Sequence, residues 1–310
     1  KQIQETEMED YINRANEINK SPEIKLVSIQ HEYGLYGGEQ GEYLMAFLEL
    51  LKKPSVITMH TVLPRPDEKM MKVGKVISDK CSAVIVMTAA AKEILYKKYG
   101  IKKHKIKVIP HGVNHIAFPS KSRAKKKLDL QGKIVLSTFG MISRDKGIEY
   151  AIEALPNIVK EFPNVVYLIL GATHPVVRRE EGEEYRNRLK RLVVKHKLQD
   201  NVKFYNKYLE LGELIDYLKA TDIYLYPMLS REQASSGSLS YALSCGCPVI
   251  TTKSQYAKSV INNERGRLVK FKNSLDFEKA LFELIPQPKL RKEMKKNAYF
   301  YSRHMTWQNV

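Results

Sequence analysis

Two loops of this 310-residue chain carry side chains of the types suited to phosphorylated, hydroxyl-rich ligands. The first is Phe139-Gly140-Met141-Ile142-Ser143-Arg144-Asp145-Lys146-Gly147, which follows an apolar run and leads into a helical period. Two glycines bracket the turn, and Arg144 and Lys146 stand where the helix begins. A helix N-terminus with two cations beside it is a competent diphosphate site, although an ordinary strand-to-helix loop has the same composition. In the second loop, Pro227 to Ile250, Glu232 precedes the small-residue run Ala234-Ser235-Ser236-Gly237-Ser238 at a helix start. Small side chains there let a ligand approach the backbone amides, and a carboxylate can accept hydrogen bonds from a polyol.

Several histidines fall at strand ends. His60, in Thr58-Met59-His60-Thr61, is either a site residue or a hydrogen-bonded core group. His31 and Glu32 follow the first strand at its carboxyl end, as cleft residues or as a buried ion pair shaping the loop. His174, within Gly171-Ala172-Thr173-His174-Pro175, lies beside the phosphate-type loops or caps the next segment. His111 is expected to hold the turn Ile109–Val113; His104, His115, His196 and His304 carry no signal. The three cysteines, Cys81, Cys245 and Cys247, cannot staple a fold of this size, and the Cys-x-Cys pair lacks zinc or redox spacing. A reduced, cytoplasmic compartment fits.

The elements that must position these loops are short apolar runs alternating with amphipathic helical periods. Strands are expected near 25–30, 55–59, 83–87 and 105–109, then near 134–139, 165–170, 202–205, 223–226, 248–251 and 267–270. A helical period opens the chain through Met8, Tyr11, Ile12, Ala15 and Ile18 and stops at Ser21-Pro22; another runs through Ile148, Ala151, Ile152, Leu155, Ile158 and Val159. Strands apolar on both faces, each followed by a helix, mean α/β architecture with parallel sheets. The rhythm fades over 114–131, so the expected division is a Rossmann-like lobe at 1–113, a linker at 114–131, a second such lobe at 132–286, and a helical segment at 287–310. In such sheets ligands sit at the carboxyl ends of the strands.

Hydrophobic residues make up 43% and charged residues 28%, which excludes a disordered chain. No stretch approaches the roughly 20 apolar residues of a membrane-spanning helix. Lys and Arg number 52 against 34 Asp and Glu, a net charge of +18. That field favours anionic partners: nucleic acid, anionic membrane or phosphorylated ligands. Aromatics do not interleave with the lysine bursts, so a nucleic-acid platform is not expected. A solvated lysine-rich surface gives the same composition.

Together, the Gly140–Gly147 turn, the Glu232 loop and the Ser236-Gly237-x-x-x-Tyr241-Ala242-Leu243-x-x-Gly246-x-Pro248-Val249-Ile250 run resemble the donor half of a retaining glycosyltransferase of family four, glycosyltransferase group 1. Ile109-Pro110-His111-Gly112-Val113 is similar to the signature ending that family's first lobe. The blocks Gln30–Gly38, Gly171–Pro175 and Glu232–Gly237 resemble a bacterial and archaeal subset. The resemblance covers nearly the whole chain. It implies a GT-B fold: two Rossmann-like lobes facing across a cleft, a nucleotide-sugar donor on the second, an acceptor on the first, and no metal or other cofactor. It also implies a further strand, Gly-rich loop and helix ahead of Lys1, so the chain reads as a fragment with an incomplete first lobe.

Residue by residue, Lys146 matches the lysine that holds the donor diphosphate. Met141 stands where the family has an arginine, which leaves Arg144 to supply that charge. Glu232 matches the first glutamate of an E-x7-E motif at the donor sugar, and Ser240 replaces the second, which would contact the ribose. His60 matches a histidine close to the reacting sugar. Catalytic roles therefore fall to Glu232, His60 and Lys146. Donor binding falls to Gly140, Arg144, Lys146, Gly171, Tyr205, Ser235, Ser236, Gly237 and Ser240, with the backbone around Tyr205–Leu209 selecting the base. His31, Glu32, Gly37 and Gly38 face the acceptor, and Tyr256 and Ala257 either approach the donor sugar or pack a turn.

The function so implied is metal-independent transfer of a hexose, with retention, from a UDP- or GDP-sugar to a glycan or lipid-linked acceptor. It would take place in the cytoplasm or at the inner face of an anionic membrane. Alternatives are another GT-B enzyme, a nucleotide-sugar epimerase or glycan phosphorylase, and a non-catalytic sugar- or nucleotide-binding protein.

Overall fold

Runs of aliphatic and β-branched residues become parallel strands here because a strand covered on both faces needs apolar side chains throughout. The computed structural model describes residues 2–310. They form two compact α/β units, one built from the chain up to His111 with Glu232–Ser235, the other from Gly112–Arg231 with Ser236–Val310.

The first unit holds β1 (Val27–His31), β2 (Ser55–Met59), β3 (Ala83–Val86) and β4 (Ile106–Val108), paired in that order and all parallel. Its helices start and stop on local chemistry. Asp67 accepts from Met70 N–H to cap Glu68–Lys80; Thr88 accepts from Ala91 N–H to cap Ala89–Tyr99, which ends on Gly100 at φ +67°. Ile29, Ile57, Val84 and Ile106 of the strands pack with Leu44, Phe47, Ile77 and Leu95 of the helices. Ala234 is buried in the same core.

The second unit holds β5 (Ile134–Phe139), β6 (Val165–Leu170), β7 (Val202–Tyr205), β8 (Ile223–Tyr226), β9 (Val249–Thr252) and β10 (Gly266–Val269). They lie in the order β10-β9-β8-β5-β6-β7, all parallel. Strand order therefore reverses between β5 and β8, so the loops after these two strands leave the sheet at its topological switch point, the ligand position of doubly wound folds.

Two local differences from the sequence reading have physical causes. The period from Ile148 to Val159 is two helices, Ile148–Glu153 and Leu155–Glu161, because Pro156 lacks an N–H and restarts the helix in a first turn. The segment 114–131, expected as a linker, contains the helix Lys121–Lys127 and belongs to the second unit. Lys121 and Lys125 reach the buried Asp222 carboxylate at 2.8 and 2.5 Å, and Asp222 also accepts from Val135 N–H at 2.8 Å. The lysines hold the Asp222 carboxyl below its usual range although burial pushes it up. These partners are too distant in sequence for periodicity to show. Farther on, the helix Pro288–Tyr301 is followed by a 3-10 turn, and Val113 exchanges backbone hydrogen bonds with Met305 and Trp307.

Candidate functional site

At the carboxyl ends of β5 and β6 the backbone is drawn unusually close. A Cβ on Gly171 would lie 2.1 Å from Gly140 O, and Gly171 sits at φ +143°, a conformation that glycine alone adopts without strain. Ile142 N–H donates to Ala172 O at 2.8 Å, and His174 N–H donates back to Ile142 O at 2.9 Å. The loops after the two strands are thus one laced unit. Gly171 N–H also donates to Tyr205 O at 3.0 Å, which ties in the end of β7. Tyr205 acts here through its backbone, while its ring packs on Tyr217.

Two cavities open on these loops. One, of about 680 Å³, is lined by Phe139, Gly140, Gly171, Leu209 and Leu214, with Arg178, Arg179 and Lys207 at its wall. Tyr208, 75% exposed, also lines it. The second, of about 580 Å³, is lined by Ser143, Asp145, Lys146, His174 and Val176. Met141 lines both. An apolar slot with cations at its wall, beside a smaller space lined by Lys146, suits an amphiphilic anion such as a nucleotide.

The cations of the Gly140–Gly147 turn are placed differently. Lys146 has one salt-bridge partner among the described residues, Asp145 at 3.9 Å, and faces the smaller cavity. Arg144 is engaged by Glu181 at 2.8 Å and Glu184 at 3.3 Å, and lies over the Tyr185 ring. These carboxylates raise its pKa, with Glu181 the main cause. Leu229 N–H donates to Asp145 O, and a Cβ on Gly147 would lie 2.4 Å from Pro227 O, so the loops after β5 and β8 also touch.

The Glu232–Ser244 stretch divides. Glu232 through Ser235 pack with the first unit: Glu232 lies 3.4 Å from Arg65, and Ser235 donates to His60 O at 3.3 Å. Ser236 caps the helix Gly237–Ser244, accepting from Leu239 N–H and donating to Tyr226 OH at 2.9 Å. Ser240, expected to face the donor, has zero exposure. Its hydroxyl donates to Ser236 O at 2.8 Å and meets Tyr256 OH at 2.5 Å. One turn beyond the cap its side chain points into the core, where a small hydroxyl fits and finds partners. Tyr256 and Ala257 are likewise buried.

In the first unit, His60 Nε2 lies 2.8 Å from Gln30 Oε1, and the backbone N–H of His60 donates to His31 O. His31 forms no ion pair with Glu32. Its ring is fully buried between Tyr33 and Tyr36, with neither nitrogen hydrogen-bonded among the described residues. Burial, and after it the charge of His60, lowers its pKa to about 4, so the ring is neutral. The side chain of Glu32 instead accepts from Thr61 at 2.5 Å. Gly37 is buried against Glu5 and Tyr43 and donates to Tyr11 OH, and Gly38 turns at φ +90°; both shape the loop. His174 caps the short helix Pro175–Glu181 through Val176 N–H at 3.3 Å.

Arg178, Arg179, Lys207 and Tyr208 as cavity walls were not singled out from sequence, nor was Arg186, an arginine 1% exposed. The signal available was their position in the segments that follow β6 and β7.

A model described as Glycosyl transferases group 1 matches residues 120–300, and one described as Glycosyltransferase Family 4 matches residues 38–116. An uncharacterized glycosyltransferase of Methanocaldococcus jannaschii is 26% identical over 239 residues, 76% of this chain and 58% of that protein. The chain therefore spans little more than half of that relative. Among solved structures, sucrose-phosphate synthase from Thermosynechococcus elongatus is 20% identical, with a TM-score of 0.78 over 97% of this chain and 74% of the other. Anabaena HepE in complex with UDP is 17% identical, with a TM-score of 0.76 over 96% and 78%. At these identities the likeness establishes the fold, two parallel-sheet α/β lobes of the GT-B type.

Proposed function

The chain belongs to the glycosyl transferases group 1 family, whose model spans residues 120–300, and from that premise we propose that it transfers a hexose from a nucleoside-diphosphate sugar to a glycan or lipid-linked acceptor, with retention and without a metal. The observation that carries this reading is the pair of cavities that meet at Met141, one apolar with cations at its wall and one holding Lys146. The base and ribose would occupy the larger, and the diphosphate the smaller. That HepE was crystallised with UDP supports UDP as the first ligand to test, with GDP beside it.

In the proposed reaction an acceptor hydroxyl oxygen bonds to the anomeric carbon as the bond from that carbon to the diphosphate oxygen breaks. The acceptor proton passes to the departing phosphate on the same face of the sugar. Negative charge grows on the diphosphate, and preorganised donors aimed at that charge lower the barrier. Lys146 and the amides at the start of the helix Gly237–Ser244 take that role. Glu232 accepts hydrogen bonds from the sugar hydroxyls, His60 lies beside the reacting sugar, and His31, Glu32, Gly37 and Gly38 belong to the acceptor side. Arg144 supports the loop through Glu181 and Glu184. The basic surface would rest against an anionic membrane at its cytoplasmic face.

Calorimetric titration of UDP, GDP and ADP in EDTA, on the wild type and Lys146→Ala, tests the reading. Metal-free binding of one nucleotide that depends on Lys146 is expected; binding of none, or binding indifferent to Lys146, overturns it. A second reading, nucleotide binding without turnover, is favoured by Met141 and by the buried Ser240 in place of a ribose contact. Lys146-dependent binding with no sugar transfer or release from a UDP- or GDP-sugar would select it.

A further inference from the structure

We infer that Arg186 is a positioning residue that clamps the wall of the nucleotide cavity, an assignment that rests on the functional reading above. Arg186 is the largest fully buried side chain of the described residues. Its Nη2 donates to Gly171 O at 2.8 Å, and its Nε donates to Thr173 Oγ1 at 3.2 Å and Glu183 Oε2 at 3.1 Å. Thr173 also donates to the same Glu183 oxygen at 2.5 Å, which closes a three-membered polar cluster. Gly171 and Thr173 both line the larger cavity, and through Gly140 and Ile142 the same turn is laced to the loop that carries Lys146.

Tyr185, beside Arg186 in sequence, accepts from Ile148 N–H at 3.2 Å and donates to Glu149. It therefore grips the helix start immediately after Lys146 and Gly147. The first turn of the helix Glu184–Lys195 thus holds both loops, one through Arg186 and one through Tyr185.

Burying a guanidinium is costly, and its Nη1 has no hydrogen-bond partner among the described residues. A core selected for stability alone would place apolar side chains at Arg186 and Glu183 together, since replacing a buried ion pair by well-packed apolar residues is often neutral or stabilising. What the guanidinium adds is a fixed carbonyl orientation at Gly171 and a fixed hydroxyl at Thr173, and sub-ångström placement of a wall governs ligand fit.

The test is titration of UDP and GDP into the wild type, Arg186→Lys and Arg186→Met, with a thermal melt of each. Arg186→Met is expected to keep a cooperative melt and bind the nucleotide about ten- to a hundredfold more weakly, with Arg186→Lys recovering part of the loss. If Arg186→Met does not fold, Thr173→Val, which removes the hydroxyl shared by Arg186 and Glu183, is read in the same way. Wild-type affinity in whichever variant folds, while wild-type binding still requires Lys146, overturns the clamp alone. Failure of the wild type to bind either nucleotide overturns the functional reading and the clamp with it.

Discussion

Gly171→Ala isolates the close approach on which the larger cavity depends. The added Cβ would lie 2.1 Å from Gly140 O and 2.9 Å from Gly140 C, both backbone atoms that cannot rotate away. Ordinary contact begins near 3.4 Å, so the loops would have to part by more than an ångström while β5 and β6 stay hydrogen-bonded through Phe139 and Leu170. Two costs add: about 1–3 kcal/mol for an alanine in a glycine-only conformation, and about 1–3 kcal/mol for overpacking. Gly140→Ala is the matched control, because Gly140 has φ +129° and open space where its Cβ would go. The difference between the two variants cancels the backbone cost and leaves about 1–3 kcal/mol of overpacking. Urea unfolding followed by fluorescence reads it, since the chain's single tryptophan, Trp307, belongs to the second unit. Nucleotide titration of the same variants should show the larger loss in Gly171→Ala. Equal stability and equal affinity of the two alanine variants would refute the close-approach reasoning.

Lys146→Ala should leave the melt unchanged, because its one ion pair among the described residues is a 3.9 Å contact with Asp145. UDP affinity should fall by about ten- to a hundredfold, the loss of one charge-assisted hydrogen bond of about 1.5–3 kcal/mol. Asp222→Ala should destabilise the second unit by about 3–5 kcal/mol, since it strands Lys121 and Lys125; Asp222→Asn, which can still accept from Val135 N–H, should cost less in the same urea assay. The His31 pKa falls from 6.5 in the unfolded chain to about 4 in the folded one, so the unfolded chain takes up the proton first as pH drops. Stability of the first unit is therefore complete above pH 6.5 and declines towards pH 4. The decline is about 3 kcal/mol, at about 1.4 kcal/mol per pH unit. Hydrogen exchange in β1 and β2 should show it, and His31→Phe should flatten the profile.

The chain's own order of residues determined the strands, because an interior parallel strand must be apolar on both faces and that demand is local. Val165–Leu170 is buried at every position and read as a strand directly. The glycine pair at Gly140 and Gly147 was legible for the same reason: a turn with φ above zero is written in the residue that occupies it. The family resemblance rested on an ordered set of such local signals.

Tertiary structure alone decided which polar groups meet. Nothing near Asp222 in sequence announces Lys121 and Lys125, which the chain brings to it across about a hundred residues. Ser240 and Arg186 show the limit from both sides. A serine at a position that the family resemblance assigned to ligand lies in the core, and an arginine on a strongly basic helix is buried against the Gly171 turn. A helix's period says which residues share a face; which face is covered, and by what, depends on elements elsewhere in the chain. Charge reads as surface until a fold supplies buried partners for it, and those partners exist only once the loops after β5, β6 and β7 are laced together.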